Sequence, residues 1–399
     1  MGSRELALFE ANLEKANKVL KFIGLQTDDE ESNQNFTGRT LSKKFFWFFN
    51  IILYSELLGE LAWFVEKGTV GSTFMEATYT LPCVTLCLLG SAKTYYRIKY
   101  GDLINDLIRV LRKLQSTDSE SGIYKDPIAY ESICKIVKKL GLAIKALTIF
   151  NTCGLVAFLL GPLAFMGFIY HTTGVMKLRF PFLILYPFNV LDLRVYPFVY
   201  VHQIIGGTFA VYTIFGPDCL YYLFCTFVQV QFCSLKYDLE RIVPERSNLQ
   251  LQADKDAYSK KCVNLIETIF CKSALFNFMS SSLLLCLAGF NIVAYEDVVI
   301  LGNFLCFLVM CLLQIYLICY YGDNVSRASV EISNAVYNSQ WYNLNAKSAK
   351  DLRMVLMRSQ KPCKLTAYTY TEINLTTFTR ILSTSWSYFA LLQSVYNRK

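Results

Sequence analysis

The chain has 399 residues, of which 54% are hydrophobic and 15% aromatic but only 18% charged, and its mean hydropathy is +0.33. Soluble domains are poorer in apolar residues and carry about 25% charge, so this composition excludes an ordinary soluble globular protein and requires lipid. The net charge of +8 does not point to nucleic acid, because the basic residues sit in polar blocks between long apolar runs, where membrane topology accounts for them.

Taken in chain order, residues 1–44 are charged throughout and lack a compact apolar core, so no cleavable signal is visible and the first span acts as its own insertion signal. Within them Leu6, Phe9, Leu13, Ala16 and Leu20 recur at three- and four-residue spacing, which predicts an amphipathic helix on the inner membrane surface or packed beneath a bundle. A spanning helix needs about 20 mainly apolar residues. On that ruler spans fall at Phe45–Val65, Phe74–Tyr96, Leu142–Ile169, Phe198–Leu235, Phe270–Tyr295, Val298–Tyr321 and Asn374–Val395, the fourth and fifth continuing as helix beyond the bilayer.

Several residues inside these spans carry information. Glu56 and Glu60 lie four apart in the first span, where a carboxylate is costly unless paired, protonated or wet; the expectation is a structural pair facing polar partners in the bundle interior. Lys93 and Lys145 lie near inner span ends and are expected to snorkel. Gly216, Pro217 and Asp218 predict a kink in the fourth span. Faces can also be read from spacing. Tyr79 and Cys83 share one on the second span, Phe150, Gly154 and Phe158 form one on the third, Gly206, Phe209 and Thr213 align on the fourth, and Phe304 opens the sixth. Such stripes equally suit bundle core or lipid contact, and a glycine equally suits close helix packing.

Of the 39 Lys and Arg residues, 29 lie in the N-terminal segment and the second, fourth and sixth loops, which places the N-terminus in the cytosol and the C-terminus outside. The glycosylation triplets at Asn35, Asn324 and Asn374 then all fall in cytosolic or embedded sequence, and the outside loops 66–73 and 170–197 hold neither a triplet nor a cysteine. A G-protein-coupled receptor has the opposite orientation. Most of the fourteen cysteines, among them Cys83, Cys87, Cys153, Cys225, Cys286, Cys306, Cys311 and Cys319, fall inside apolar runs and read as small buried hydrophobes. With two histidines and no Cys-x-x-Cys pair, neither a metal site nor any other cofactor is expected. No nucleophile, base and oxyanion-donor set is visible, which disfavours an enzyme. A transporter would show broken helices in matched halves, and the Gly216-Pro217 break in the fourth span is read instead as a kink.

The carboxyl-terminal stretch is the most specific feature. From Pro362, Leu365, Thr366 and Ala367 through Asn374, Leu375, Phe378, Ile381 and Leu382 to Ser385, Ser387, Tyr388, Phe389, Leu391 and Leu392, it resembles the final span of insect odorant receptors. The related gustatory receptors end in Thr-Tyr, five residues, then Gln-Phe; here Ser387 and Tyr388 are followed at that offset by Ser394 and Val395, so that signature is not met. The compact fourth loop departs from the long insertion of the shared odorant co-receptor, so the chain resembles a ligand-specific subunit.

The resemblance implies an all-α integral membrane protein of seven spans in the dendritic plasma membrane of olfactory sensory neurones. It also implies a heteromeric tetramer with the co-receptor, forming a non-selective cation channel gated by a small volatile odorant. Four regions are expected: a cytosolic segment 1–44, a six-helix bundle 45–321 holding the odorant pocket, cytosolic anchor helices 322–373, and a pore-lining span and tail 374–399. Under this resemblance Tyr79, Cys83, Phe150, Gly154, Phe158, Gly206, Phe209, Thr213 and Phe304 are the candidate ligand contacts, lying in the outer halves of the spans. Ser387, Tyr388 and Ser394 border the pore, and Leu391 and Val395, four apart, form a hydrophobic gate. Small hydroxyls also mediate helix packing in membranes, so the last span admits that simpler reading.

Overall fold

The computed structural model describes residues 3–25, 27, 36–70, 74–117, 126–176, 178–241, 249–295 and 298–397. Asn35, which begins a glycosylation triplet, residues 71–73 of the first loop and residues 242–248 of the fourth lie outside the described residues.

Seven long helices form the bundle: α2 (Phe36–Val70), α3 (Phe74–Lys99), α5 (Pro127–Thr173), α6 (Tyr196–Glu240), α7 (Leu249–Ala294), α8 (Val298–Asn338) and α10 (Leu375–Asn397). Three shorter helices join them, α1 (Ser3–Phe22), α4 (Gly101–Thr117) and α9 (Ala346–Ser359). By length and composition alone α2, α5, α6, α7 and α8 are apolar enough to cross a membrane. Glu76, Lys93, Arg97 and Pro82 dilute α3, and a run of hydroxyls with Arg380 dilutes α10.

The surface of α5 is apolar, with Ile149, Val156, Leu160, Leu163 and Phe168 exposed, whereas Lys93, Asp218, Asn277 and Asn291 are buried. This inverts the soluble pattern, as expected of a protein whose solvent is hydrocarbon. The fourteen cysteines are all free. Most are buried or half-buried as expected, but Cys153 and Cys306 are exposed.

α6 is the axis of the fold. Its second half is almost wholly buried, from Thr213 to Val228 without interruption, because α1, α7 and α8 pack around it. The amphipathic α1 buries Phe9, Leu13, Ala16 and Leu20, with Phe9 edge-on to Phe227 and Leu20 in the notch left by Gly216. It therefore sits within the bundle's packing rather than on its rim. α4 buries Ile104, Leu107, Ile108, Leu111 and Leu114 against α7 and α1, a helical stripe inside what reads in sequence as a charged loop. Arg112 closes this corner on Glu10 at 2.6 Å.

Beyond the bundle, α8 runs on to Asn338, α9 starts where Asn345 accepts a hydrogen bond from the Ser348 amide, and a two-residue-strand hairpin pairs Thr366–Ala367 with Thr371–Glu372. Glu267 of α7 receives the Thr366 amide, and the Ile373 amide donates to the Leu365 carbonyl. Asn374 then caps α10 by accepting from the Thr377 amide at 2.9 Å. The hairpin thereby fixes where the last helix begins.

Candidate functional site

α2, α3, α5, α6 and α8 enclose a predominantly apolar cavity of about 170 Å3. Tyr79, Cys83, Phe150, Gly154, Phe158 and Phe304 all line it, the rings of Tyr79 and Phe304 meeting edge-to-face at 5.5 Å. Gly154 widens one wall: a side chain there would press on the Met310 sulfur.

The face assigned to α6 is displaced by one residue. Gly206, Phe209 and Thr213 point away from the cavity, and Gly207, Ala210, Val211 and Ile214 line it instead. The reason is packing. Gly206 receives the Glu56 carboxylate where a side chain would otherwise sit, Phe209 stacks on Phe49 of α2 at 5.6 Å, and Thr213 fills the notch at Gly90 of α3. One residue on a helix turns the face by about 100°, and aromatic residues occur on both sides of α6, so periodicity does not separate the two faces.

The segment between α5 and α6 closes one side. Phe182 enters the cavity lining, lies 5.3 Å from the Phe158 ring and rests against Gly207, where a Cβ would be only 2.9 Å from it. Its backbone is held at both ends by Gln203, which accepts from the Phe182 amide at 3.1 Å and donates to its carbonyl at 3.3 Å. The Leu185 amide donates to the Gly59 carbonyl at 3.0 Å, tying the same segment to α2. Among the lining residues, Phe182 carries no helical spacing and is visible only in three dimensions.

Two polar groups in the wall deserve separate description. Lys93, expected to snorkel, is instead 2% exposed and forms an ion pair with Asp218 at 2.6 and 2.7 Å. Gln314 of α8 donates to the same carboxylate at 2.8 Å, and Asn277 of α7 lies 3.4 Å beyond it. Asp218 and Gln314 border the cavity, so its floor is a polar network linking α3, α6, α7 and α8. α6 stays helical through Gly216 and Pro217, and the neighbouring Asp218 is committed to Lys93 rather than to a broken helix end. The second group is Glu56 and Glu60, both lining the cavity and 3% and 2% exposed. Glu56 lies 3.5 Å from Nδ1 of His202, whose ring also contacts Ser55 and Tyr186.

α10 is built differently. Its inner face is pinned to α7 and α8: Ser385 donates to Ser282 at 3.3 Å, Phe389 lies against Gly289, Tyr396 meets Phe290 and Phe378 meets Tyr316. Its outer face carries Thr379, Arg380, Ser383, Thr384, Ser387, Tyr388, Leu391, Ser394 and Val395, all exposed in the single chain. Leu391 and Val395 are 63% and 47% exposed. Thr379, Thr384 and Ser387 turn their hydroxyls onto carbonyls of their own helix, but an exposed Arg380 among them is unfavourable against hydrocarbon, so this face suits water or another subunit better than lipid.

Comparison with known proteins agrees with this architecture. The family model described as 7tm Odorant receptor matches residues 73–386. The chain is 26% identical over 352 residues to the putative odorant receptor 92a of Drosophila melanogaster, covering 85% of this chain and 84% of that protein. It is 26% identical over 404 residues to odorant receptor 85b of the same species, covering 97% of this chain and 100% of that one. The fold is similar, with a TM-score of 0.82 at 15% identity, to the insect olfactory receptor OR5 from Machilis hrabei solved in complex with eugenol, over 98% of this chain and 100% of that chain. The all-α, seven-span membrane architecture expected from the sequence is thus the fold of the molecule, with α3 and α10 counted among the spans despite their polar content. With most of its length matched by the family model, the chain belongs to the 7tm odorant receptor family and is a multi-pass membrane receptor rather than an enzyme.

Proposed function

We propose that the chain is the ligand-specific subunit of an odorant-gated, non-selective cation channel, working as a heteromeric tetramer with the shared co-receptor in the dendritic plasma membrane of olfactory sensory neurones. The observation that carries this reading is the predominantly apolar cavity, whose walls come from five spans and whose acidic groups, Glu56, Glu60 and Asp218, are buried. A small volatile organic molecule enters it, in keeping with the complex of OR5 with eugenol. An engineered cavity of roughly 150 Å3 is enough to admit benzene, so a one-ring ligand with a short tail suits this volume.

The ligand opens the channel only if it binds the open arrangement more tightly than the closed one. α8 is the natural carrier, because Phe304, Met310 and Gln314 border the cavity while Tyr316, further along the same helix, packs on Phe378 of α10. In the assembled channel the exposed face of α10 lines the pore: Ser387, Tyr388 and Ser394 border water, and Leu391 with Val395 forms an apolar ring that stops ions by dewetting. The N-terminus is cytosolic and the C-terminus outside, following the distribution of Lys and Arg. The end of α8, α9 and the hairpin, within 322–373, form the cytosolic anchor shared between subunits.

Membrane currents recorded with the chain alone, with the co-receptor, and with both against an odorant panel test the reading. Odour-evoked current that requires both subunits supports it. Robust current from this chain alone overturns the dependence on a partner, and a response untouched by Gly154→Leu, which fills the cavity, overturns the ligand site.

A further inference from the structure

The wall of the cavity contains two carboxyl groups that the gating scheme leaves unused. Glu56 and Glu60 are one helical turn apart on α2, almost wholly buried, and both line the cavity. Oε2 of Glu60 and Oε1 of Glu56 have no hydrogen-bond partner. Among the described residues, the one basic group facing them is the imidazole of His202, 3.5 Å from Glu56 and already shared with Tyr186 and Ser55. The other buried base bordering this region, Lys93, is committed to Asp218. Cys83 and Cys87 of α3, Phe182, and Gly207 and Ala210 of α6 complete the lining around the pair and offer no compensating cation.

Buried carboxyl groups are retained at a cost unless something completes their hydrogen bonding. Residues at i and i+4 have Cβ atoms about 5–6 Å apart, so a single small head group placed between them reaches both. That requirement discriminates between ligand chemistries. An ester or ketone brings acceptors only, which meet a protonated carboxyl but not a carboxylate. An alcohol brings a single O–H donor beside its acceptor lone pairs. An amine brings two or three N–H donors on a single atom and bridges both. Whichever partner carries the proton, the contact remains a nitrogen–oxygen hydrogen bond, and the rest of the molecule lies among Tyr79, Phe150, Phe158 and Phe304.

We infer that this receptor is tuned to amine-bearing odorants, with the nitrogen held between Glu56 and Glu60 and the hydrocarbon part in the aromatic half of the cavity. The inference rests on the cavity being the odorant site.

Three compounds matched in heavy-atom shape separate the possibilities: phenethylamine, phenethyl alcohol and propylbenzene. Binding is read on the purified full-length chain in lipid nanodiscs, as an apparent Kd from the concentration dependence of Tm. The expected result is an affinity for phenethylamine about tenfold or more above that for either other compound, the gain of hydrogen bonds to charged groups. Glu60→Gln and Glu56→Gln each reduce that advantage, read as the ratio of the phenethylamine and propylbenzene affinities on each variant. Equal affinity for all three compounds, abolished together by Gly154→Leu, overturns the amine inference and keeps the cavity as the ligand site. Binding of all three that is indifferent to Gly154→Leu overturns the cavity reading itself. The comparison of the three ligands on the unmodified chain decides the matter even where a glutamine variant fails to fold.

Discussion

The cavity and the last helix resolve the same difficulty, polar groups in a membrane, in opposite ways. Around the cavity the chain supplies its own partners: Lys93 meets Asp218, Gln314 joins them, and Gln203 holds Phe182. On α10 only the inner face is joined to another helix, with Ser385 on Ser282, while the outward Thr384 and Ser387 bond no further than carbonyls of their own helix. The cavity is therefore walled by one chain, whereas the outer face of α10 is left uncovered by it. On the proposed function, ligand specificity belongs to a single subunit and ion conduction to several.

Substitutions break or sharpen this contrast. The largest effect is expected at the buried ion pair. Asp218→Ala leaves an ammonium buried without a counter-charge and should destabilise the chain by about 3–5 kcal/mol, read as a fall in Tm or loss of surface expression. Lys93→Met with Asp218→Leu removes both charges and should recover much of that loss. Gly206→Val comes next, because its side chain collides with the Glu56 carboxylate; overpacking of this kind costs about 1–3 kcal/mol, measured in the same way. Ser385→Ala, losing one contact to Ser282, should cost about 1 kcal/mol or less.

The smallest effect on stability sharpens the contrast most. Leu391→Ser lies on the exposed face of α10 and should shift the stability of the isolated chain by no more than about 0.5 kcal/mol, while raising resting current in the assembled channel. A large fall in Tm of the isolated chain would place Leu391 in the packing of its own bundle. An unchanged resting leak would remove it from the gate.

Much of the helical layout was legible in the residues. Apolar runs long enough to span lipid give α2, α5, α6, α7 and α8 directly, and the charged extensions of α6 and α7 are visible as helix continuing past the apolar stretch. The period of α1 predicted its buried face, and Asn374 was placed at the start of the last span, where it caps α10. The stripes Tyr79–Cys83 and Phe150–Gly154–Phe158 each keep to one face, as their spacing requires, and packing turns that face to the cavity.

What the sequence by itself determined was local: which segments are helices, which prefer lipid, and how charge is distributed between the loops. Tertiary structure alone decided the rest. On α6, with large or small residues on every side, the choice between Gly206 and Gly207 depends on where Glu56 and Phe182 arrive from other segments. Lys93 lies 125 residues from Asp218, and no periodicity reports that separation. Phe182 reaches the cavity because Gln203 grips its backbone, an exchange of hydrogen bonds between a loop and a helix that no spacing encodes. Short-range patterns express the preference of one helix for its surroundings, whereas a cavity is defined by several helices meeting, and its chemistry appears only once they are packed.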